Sequence, residues 1–232
     1  MNELVFTSEA EVYLDTAVPN QARIFDYLLG GTSNFAADRL AADQLVQLIP
    51  SLPKWVRLRR AFVQEAAYTL YQNGFKQFLD LGSGMPTENH LHIAVPKARI
   101  IYSDTNPVAV SYGQSLFAEF VNIDYINGSY GQIQNLLQHS ALRRLIDRPE
   151  KVAIGLNMLP LTLTQLEISK LTQELYQWAA PGSQIFQVIQ TRSPQAQPGK
   201  YEKLLALSKR IHFPMYIYPL KKAVAQLKPW QP

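Results

Sequence analysis

Short apolar segments alternate with longer amphipathic segments through most of the chain after residue 74. The short segments are rich in apolar and β-branched residues, which predicts strands at residues 76–81, 99–103, 121–126, 151–156 and 183–190. The longer segments predict helices at residues 88–95, 107–120, 131–146 and 163–179. Alternating strands and helices are typical of an α/β fold with a parallel sheet.

The two ends of the chain follow other patterns. Helices are predicted at residues 21–29, 35–48 and 54–72, with Asn20 and Asn34 as N-caps of the first two and Gly30-Gly31 ending the first. After a loop at 191–199, we predict a helix at 201–211 and an antiparallel pair of strands at 213–219 and 223–230. No linker divides the chain, so residues 1–232 are predicted to be one domain, with a helical cap (1–73) and an α/β core (74–232).

A glycine turn joins the first two strands of the predicted core. Asp80 lies near the end of the first strand, and Gly82 and Gly84 are free to take a positive φ. The second strand is followed by Asp104, 24 residues after Asp80, which suits an acid that binds ribose hydroxyls. This strand, turn, helix, strand and acid predict a nucleotide site at the carboxyl ends of the strands.

The residues of the turn favour one nucleotide over another. The dinucleotide fingerprint G-x-G-x-x-G would need a third glycine, where this chain has Thr87. A carboxylate at Asp80 would repel a diphosphate, whereas it would attract the sulfonium and amino groups of S-adenosylmethionine. We therefore favour S-adenosylmethionine over NAD. An NAD-dependent oxidoreductase and a tight turn without a ligand remain as alternatives.

Three segments resemble a bacterial family of S-adenosylmethionine-dependent methyltransferases. They are DYLLGG at residues 26–31, NFAADR at 34–39 and DLGSGMPT at 80–87, the last matching a turn of the form D-x-G-x-G-x-P-T. The resemblance covers roughly residues 15–110. It implies a Rossmann-like class I methyltransferase fold, with a seven-stranded, mostly parallel sheet, helices on both faces and an N-terminal helical cap.

The resemblance also implies a set of site residues. Cofactor binding is expected from Asp80, Gly82, Ser83, Gly84, Asp104, Thr105, Asn106, Asn127, Gly128 and Asn157. The acceptor pocket is expected to include Tyr27, Asn34, Phe35, Arg60 and Met158. The chain departs from the family at Asn127, where aspartate is usual beside adenine, and at Arg59, where asparagine is usual.

Methyl transfer to a small-molecule acceptor, by in-line displacement, is the function we predict. The sulfonium carries the reactivity, so the protein must mainly hold the acceptor in line and exclude water. No general base is evident. Residues 157–160 (NMLP) lack the aromatic that would stack a flipped base, which argues against a nucleic-acid substrate. The alternative is a non-catalytic S-adenosylmethionine-binding or regulatory protein, suggested by Asn127, Arg59 and the absent base.

Composition sets further bounds. The chain of 232 residues has a net charge of +4 and no cysteine, which excludes disulfides and thiolate metal sites. His90 and His92 lack a metal-ligand spacing, so no metal is expected. No apolar run reaches the length of a membrane span, and no signal peptide is evident. We therefore expect a cytoplasmic protein without a membrane partner, and the family resemblance implies a bacterial one; the sequence does not indicate its oligomeric state.

Overall fold

A parallel sheet of five strands forms the centre of the protein. The computed structural model describes residues 3–7, 10–87, 90–191, 198–211 and 213–231. Its strands are β1 (Glu3–Thr7), β2 (Ala10–Leu14), β3 (Gln77–Leu81), β4 (Arg99–Asp104), β5 (Ile123–Asn127), β6 (Ala153–Leu156) and β7 (Gln184–Phe186). The main sheet has the order β5-β4-β3-β6-β7, and β1 and β2 form a separate antiparallel pair.

Helices connect the strands and precede the sheet. They are α1 (Gln21–Leu29), α2 (Ala36–Leu48), α3 (Leu52–Gln72), α4 (Leu91–Ala94), α5 (Pro107–Phe117), α6 (Ile133–Leu137), α7 (Ser140–Leu145), α8 (Leu159–Thr162), α9 (Gln165–Trp178), α10 (Pro198–Arg210) and α11 (Leu220–Ala225), with a 3₁₀ turn at Tyr130–Gln132.

Both faces of the sheet are covered by helices. Successive strand side chains point to opposite faces, and the neighbours Phe78 and Leu79 of β3 accordingly enter different clusters. Phe78 belongs to a buried cluster with residues of α3 and α5. Leu79 belongs to a second cluster with residues of α6, α7 and α9. The predicted α/β architecture with a parallel sheet is therefore confirmed.

The prediction of a seven-stranded sheet is wrong for the described residues, because the main sheet has five strands and β1 and β2 form a separate pair. Residues 213–219 form only an isolated bridge, between Tyr218 and Thr191, and residues 220–225 are the helix α11. Pro214 and Pro219 lack the N–H groups that a strand needs for pairing, and the sequence LKKAVA is composed mostly of good helix formers. The strand predicted at 183–190 is also shorter than expected, at three residues.

Two predicted helices also differ from the structure. The helix predicted at 131–146 is interrupted, because His139 leaves the helical conformation and accepts a hydrogen bond from the Ala141 amide (3.2 Å), which starts α7. The helix predicted at 88–95 is reduced to α4, since His90 has an extended backbone. Residues 88 and 89, in the first part of that prediction, lie outside the described residues.

The N-terminal helices begin and end close to their predicted bounds. Asn20 caps α1 by accepting from the amides of Ala22 (3.0 Å) and Arg23 (3.4 Å), and Gly30 ends it with a φ of 89°. Asn34 does not cap α2. Instead, Asp38 accepts from the amide of Phe35 (2.8 Å), and Asn34 turns towards α1.

The same helices pack against each other and against the C-terminal part of the chain. Buried residues of α1, α2 and α3 share a cluster with α10 and with the segment that follows β6. That these helices act as a cap over a ligand stays a prediction. The predicted boundary between the cap (1–73) and the α/β core (74–232) also stays a prediction. Among the described residues, no helix has the length and apolar character needed to cross a membrane.

Candidate functional site

The glycine turn lies at the carboxyl end of β3 and is braced by the neighbouring strand. Gly82 and Gly84 have φ values of 72° and 71°, as the sequence predicted. The amide of Gly82 donates to the Ser103 carbonyl (2.9 Å) and to the Tyr130 hydroxyl (2.8 Å). Tyr130 in turn donates to the Ser103 carbonyl (3.0 Å), so one buried tyrosine holds the turn against β4.

Asp104, at the end of β4, is fixed by the turn that it faces. Its two carboxylate oxygens accept from the amides of Gly84 and Asn106, both at 2.8 Å. Burial raises the pKa of Asp104, and these backbone hydrogen bonds oppose the rise. Because each oxygen has a second lone pair, the carboxylate retains acceptor capacity for a ligand hydroxyl.

A cavity of about 520 Å³ extends from the turn to the N-terminal helices. This volume falls within the range of about 300–1,000 Å³ that is typical of small-molecule sites. The strand ends supply the glycine turn and Asp104, α1 and α3 supply one wall, and the segment after β6 supplies another. The predicted site residues in its lining are Gly82, Ser83, Gly84, Asp104, Thr105, Asn106, Arg60 and Met158.

Asp80 and Asn157 lie behind this lining, where they contact each other. Asp80 is completely buried, and one of its oxygens accepts from the Asn157 side-chain amide. The other oxygen has no hydrogen-bond partner among the described residues. Burial raises the pKa of Asp80 to about 7, against the lowering effect of Arg60, the Ser83 hydrogen bond and Arg59.

The remaining predicted residues lie outside the cavity lining. Tyr27 donates to Asp43 (3.4 Å), and Asn34 donates to Asp26 (2.9 Å). Phe35 carries the guanidinium of Arg23 over its ring, 5.2 Å from the centroid. At the end of β5, Asn127 is exposed and Gly128 is buried; a Cβ at Gly128 would lie 2.5 Å from the Ser103 hydroxyl. Their roles towards a ligand stay predictions.

Helix α1 is attached to the end of β4 by a pair of amides. Asn106 donates to Asn20 (2.9 Å), and Asn20 donates back at 3.3 Å. The backbone amide of Asn20 also donates to Asp38 (2.8 Å), which forms a buried ion pair with Arg23 at 2.7 Å. These contacts position one wall of the cavity relative to the sheet.

Several lining residues were not predicted as site residues. Asn20 was predicted only as a helix cap, and Arg59 only as a departure from the family. Asp26 lies within the DYLLGG segment, and this segment is the sequence feature that could have indicated it as a site residue. The lining residues not predicted as site residues include Asn20, Phe25, Asp26, Leu29, Arg59, Tyr130 and Pro214.

The chain belongs to a family of S-adenosyl methyltransferases, whose sequence profile matches residues 7–227. No curated protein matches the chain. A protein from Thermobifida fusca, described as a candidate methyltransferase, has a similar structure, with a TM-score of 0.85 and 28% identity over 94% of this chain and 82% of that one.

Two further solved structures share the fold. A DUF574 family protein from Streptomyces avermitilis has a TM-score of 0.83 and 23% identity, covering 93% of this chain and 84% of its own. Geranyl diphosphate C-methyltransferase from Streptomyces coelicolor, in complex with S-adenosyl-L-homocysteine, has a TM-score of 0.52 and 12% identity, covering 93% and 68%.

S-adenosyl-L-methionine is the cofactor of this chain, and the residues of the cavity fit it. The Gly84 position opens into free space, since a Cβ there would meet nothing within 4 Å, which leaves room for a ligand beside the backbone. Asp104 presents carboxylate oxygens suited to ribose hydroxyls. The Asp80 carboxyl lies behind the turn, with one oxygen that has no partner among the described residues, and its role towards the cofactor stays a prediction.

Proposed function

We propose that the chain transfers the methyl group of S-adenosylmethionine to a small-molecule acceptor. The observation that carries this proposal is the extent of the cavity, which continues beyond the glycine turn and Asp104 to the apolar residues Phe25, Leu29 and Met158. A cavity used only for the cofactor would not need this second, apolar end. The small-molecule substrates named for structural neighbours are consistent with the proposal.

The chain's own residues would act mainly by position. When bound, the cofactor supplies a methyl group that is already activated by the positive sulfonium. Gly82, Gly84 and Asp104 would hold the nucleoside and methionine parts against the strand ends. Met158 and Leu159, which follow β6, would form the apolar wall beside the methyl group and exclude water, so that the acceptor attacks in line.

Some groups must lose a proton before they can be methylated, and for these we propose Asp26 as the general base. It is buried, lies in the cavity lining and accepts a hydrogen bond from Asn34 (2.9 Å). Burial raises the pKa of Asp26, more than the Asn34 hydrogen bond lowers it. A carboxylate with a raised pKa is a stronger base at neutral pH.

A transfer assay tests the proposed function. The protein would be incubated with S-adenosylmethionine and pools of small hydroxy, amino and carboxy compounds, and S-adenosylhomocysteine would be followed by mass spectrometry. We expect product formation that depends on one pool and is lost in Asp104→Asn. Cofactor binding without transfer to any pool would instead favour the non-catalytic alternative, a cofactor-binding protein without turnover.

A further inference from the structure

Two adjacent arginines bring two positive charges into the wall of the cavity. Arg59 and Arg60 of α3 are each only 8% exposed, and both belong to the cavity lining. In the described ranges, neither side chain forms an ion pair with a carboxylate. A buried guanidinium that no carboxylate contacts is costly, so a ligand that brings a negative charge would stabilise this part of the cavity.

The two arginines differ in their partners. Arg60 donates to Nδ1 of His90 (3.3 Å), which accepts because a guanidinium has no acceptor atom. The Arg59 side chain has no hydrogen bond in the part of the chain that the structure describes. Its guanidinium lies 5.6 Å from the ring centroid of Phe25 and 5.7 Å from that of Trp55. Such cation–π contacts hold the charge without using an N–H donor.

The two arginines also face different sides of the cavity. The charge of Arg60 interacts with Asp80, Tyr102 and Tyr125, which belong to the sheet. Arg59 lies between the ring of Phe25 on α1 and that of Trp55 on its own helix. Arg60 is therefore on the side of the cofactor, and Arg59 is on the side of the N-terminal helices.

Among the described residues, no carboxylate of the cavity forms an ion pair with Arg59. Asp80 is the acid whose charge reaches Arg59, but burial raises its own pKa to about 7. The pKa of Arg59 falls to about 9, chiefly through burial and then through Arg60, so this guanidinium stays charged at neutral pH. S-adenosylmethionine carries one carboxylate and two cationic groups, its ammonium and its sulfonium. It therefore does not supply an anion for both arginines.

We propose that Arg59 binds an oxyanion, a carboxylate or a phosphate, carried by the methyl acceptor. The acceptor's apolar body then lies against apolar residues of the cavity lining, among them Phe25, whose ring the Arg59 guanidinium faces. This inference rests on the proposed function and names its substrate class. The planar guanidinium can bind either oxyanion through two N–H groups, so the experiment separates the two.

Calorimetric titration of the protein saturated with S-adenosylhomocysteine tests this proposal. The probes are phenylacetate, phenyl phosphate and the neutral phenylacetamide. We expect one of the two oxyanions to bind more tightly than the amide. In Arg59→Gln that oxyanion should bind about tenfold to a hundredfold more weakly, the loss expected for a hydrogen bond to a charged group. Arg59→Lys, which keeps the charge, should retain part of the affinity.

The control variant is Arg57→Gln, which removes an exposed arginine from the same helix and should change nothing. Arg59→Gln loses the contacts with Phe25 and Trp55 but also removes a buried charge, so its melting temperature should stay close to that of the wild type. Equal binding of phenylacetamide, or no binding of either oxyanion, would overturn the proposal.

Cofactor titrations separate this proposal from two other readings. If Arg59→Gln weakened S-adenosylhomocysteine but not methylthioadenosine, which lacks the carboxylate, Arg59 would be a cofactor ligand and the proposal would be wrong. If the wild type bound an oxyanion through Arg59 but did not bind S-adenosylhomocysteine, the anion site would stand and the proposed function would fail.

Discussion

Replacing Asp104 by asparagine tests the ribose assignment with a minimal change of shape. Each carboxylate oxygen accepts one backbone amide, from Gly84 and from Asn106, both at 2.8 Å. Asparagine keeps one oxygen but directs an NH₂ group at the other amide, so one of these bonds is lost. A hydrogen bond to a charged group contributes about 1.5–3 kcal/mol, and we expect the free energy of unfolding to fall by that amount.

Binding of the cofactor product should weaken to a similar degree. One ribose hydroxyl loses its charged acceptor, which predicts a Kd for S-adenosylhomocysteine that is higher by about 10- to 150-fold. The assay is calorimetric titration at a temperature where both proteins are folded. Asp124→Asn is the matched control, because Asp124 lies on the neighbouring strand and also accepts a backbone amide, that of Tyr125 (2.9 Å). Its ion pair with the half-exposed Arg144 (3.1 Å) contributes only about 0–1 kcal/mol.

A ligand without the ribose hydroxyls isolates the interaction. The 2′,3′-dideoxy analogue of S-adenosylhomocysteine should bind wild type and Asp104→Asn equally. Unchanged affinity of the variant for S-adenosylhomocysteine itself would refute the ribose assignment. A loss of equal size for both ligands would show that the variant disturbs the glycine turn and not a contact with the ribose.

Two other residues of the site give independent predictions. Gly84→Ala places a side chain at a φ of 71° and should lower the free energy of unfolding by about 1–2 kcal/mol in urea titrations. The control Gly131→Ala should leave the free energy of unfolding unchanged, because among the described atoms its Cβ would meet only the Ser129 hydroxyl, at 3.9 Å. Equal losses in the two variants would contradict the turn geometry. Asp80 has a pKa of about 7 in the folded protein and 3.8 as its ordinary value, so the folded state holds a proton that the unfolded chain releases. Its contribution to stability is present below about pH 4 and is lost as the pH rises through about 7. Asp80→Asn should therefore gain stability relative to wild type across this window, by up to about 1.4 kcal/mol per pH unit, and a difference that does not change with pH would exclude this titration.

The glycine turn and the acid after β4 could be predicted because their signals are local. Glycines that alternate with other residues after a strand permit positive φ values, and both Gly82 and Gly84 adopt them. An acid at the end of an otherwise apolar strand needs a partner, and Asp104 finds two amides. Parallel strands bring their carboxyl ends to one edge, so their proximity also followed from the sequence.

Contacts between distant segments could not be predicted in the same way. The buried ion-pair partner of Asp38 is Arg23, 15 residues earlier, and no local pattern indicates this pair. Arg60 of α3 contacts His90, which lies just before α4, and no local pattern indicates that contact. The prediction of the terminal strands was wrong for another reason. Residues 213–219 were predicted as a strand, but Pro214 and Pro219 prevent regular pairing.

The cavity at the carboxyl ends of the strands is where we expect S-adenosylmethionine to bind. Calorimetric titration of the purified protein with S-adenosylmethionine, and separately with S-adenosylhomocysteine, tests it most directly. We predict one-to-one binding of both ligands in the micromolar range and no binding of NAD. A folded protein that binds neither ligand, or that binds NAD in their place, would contradict the assignment of this cavity to S-adenosylmethionine.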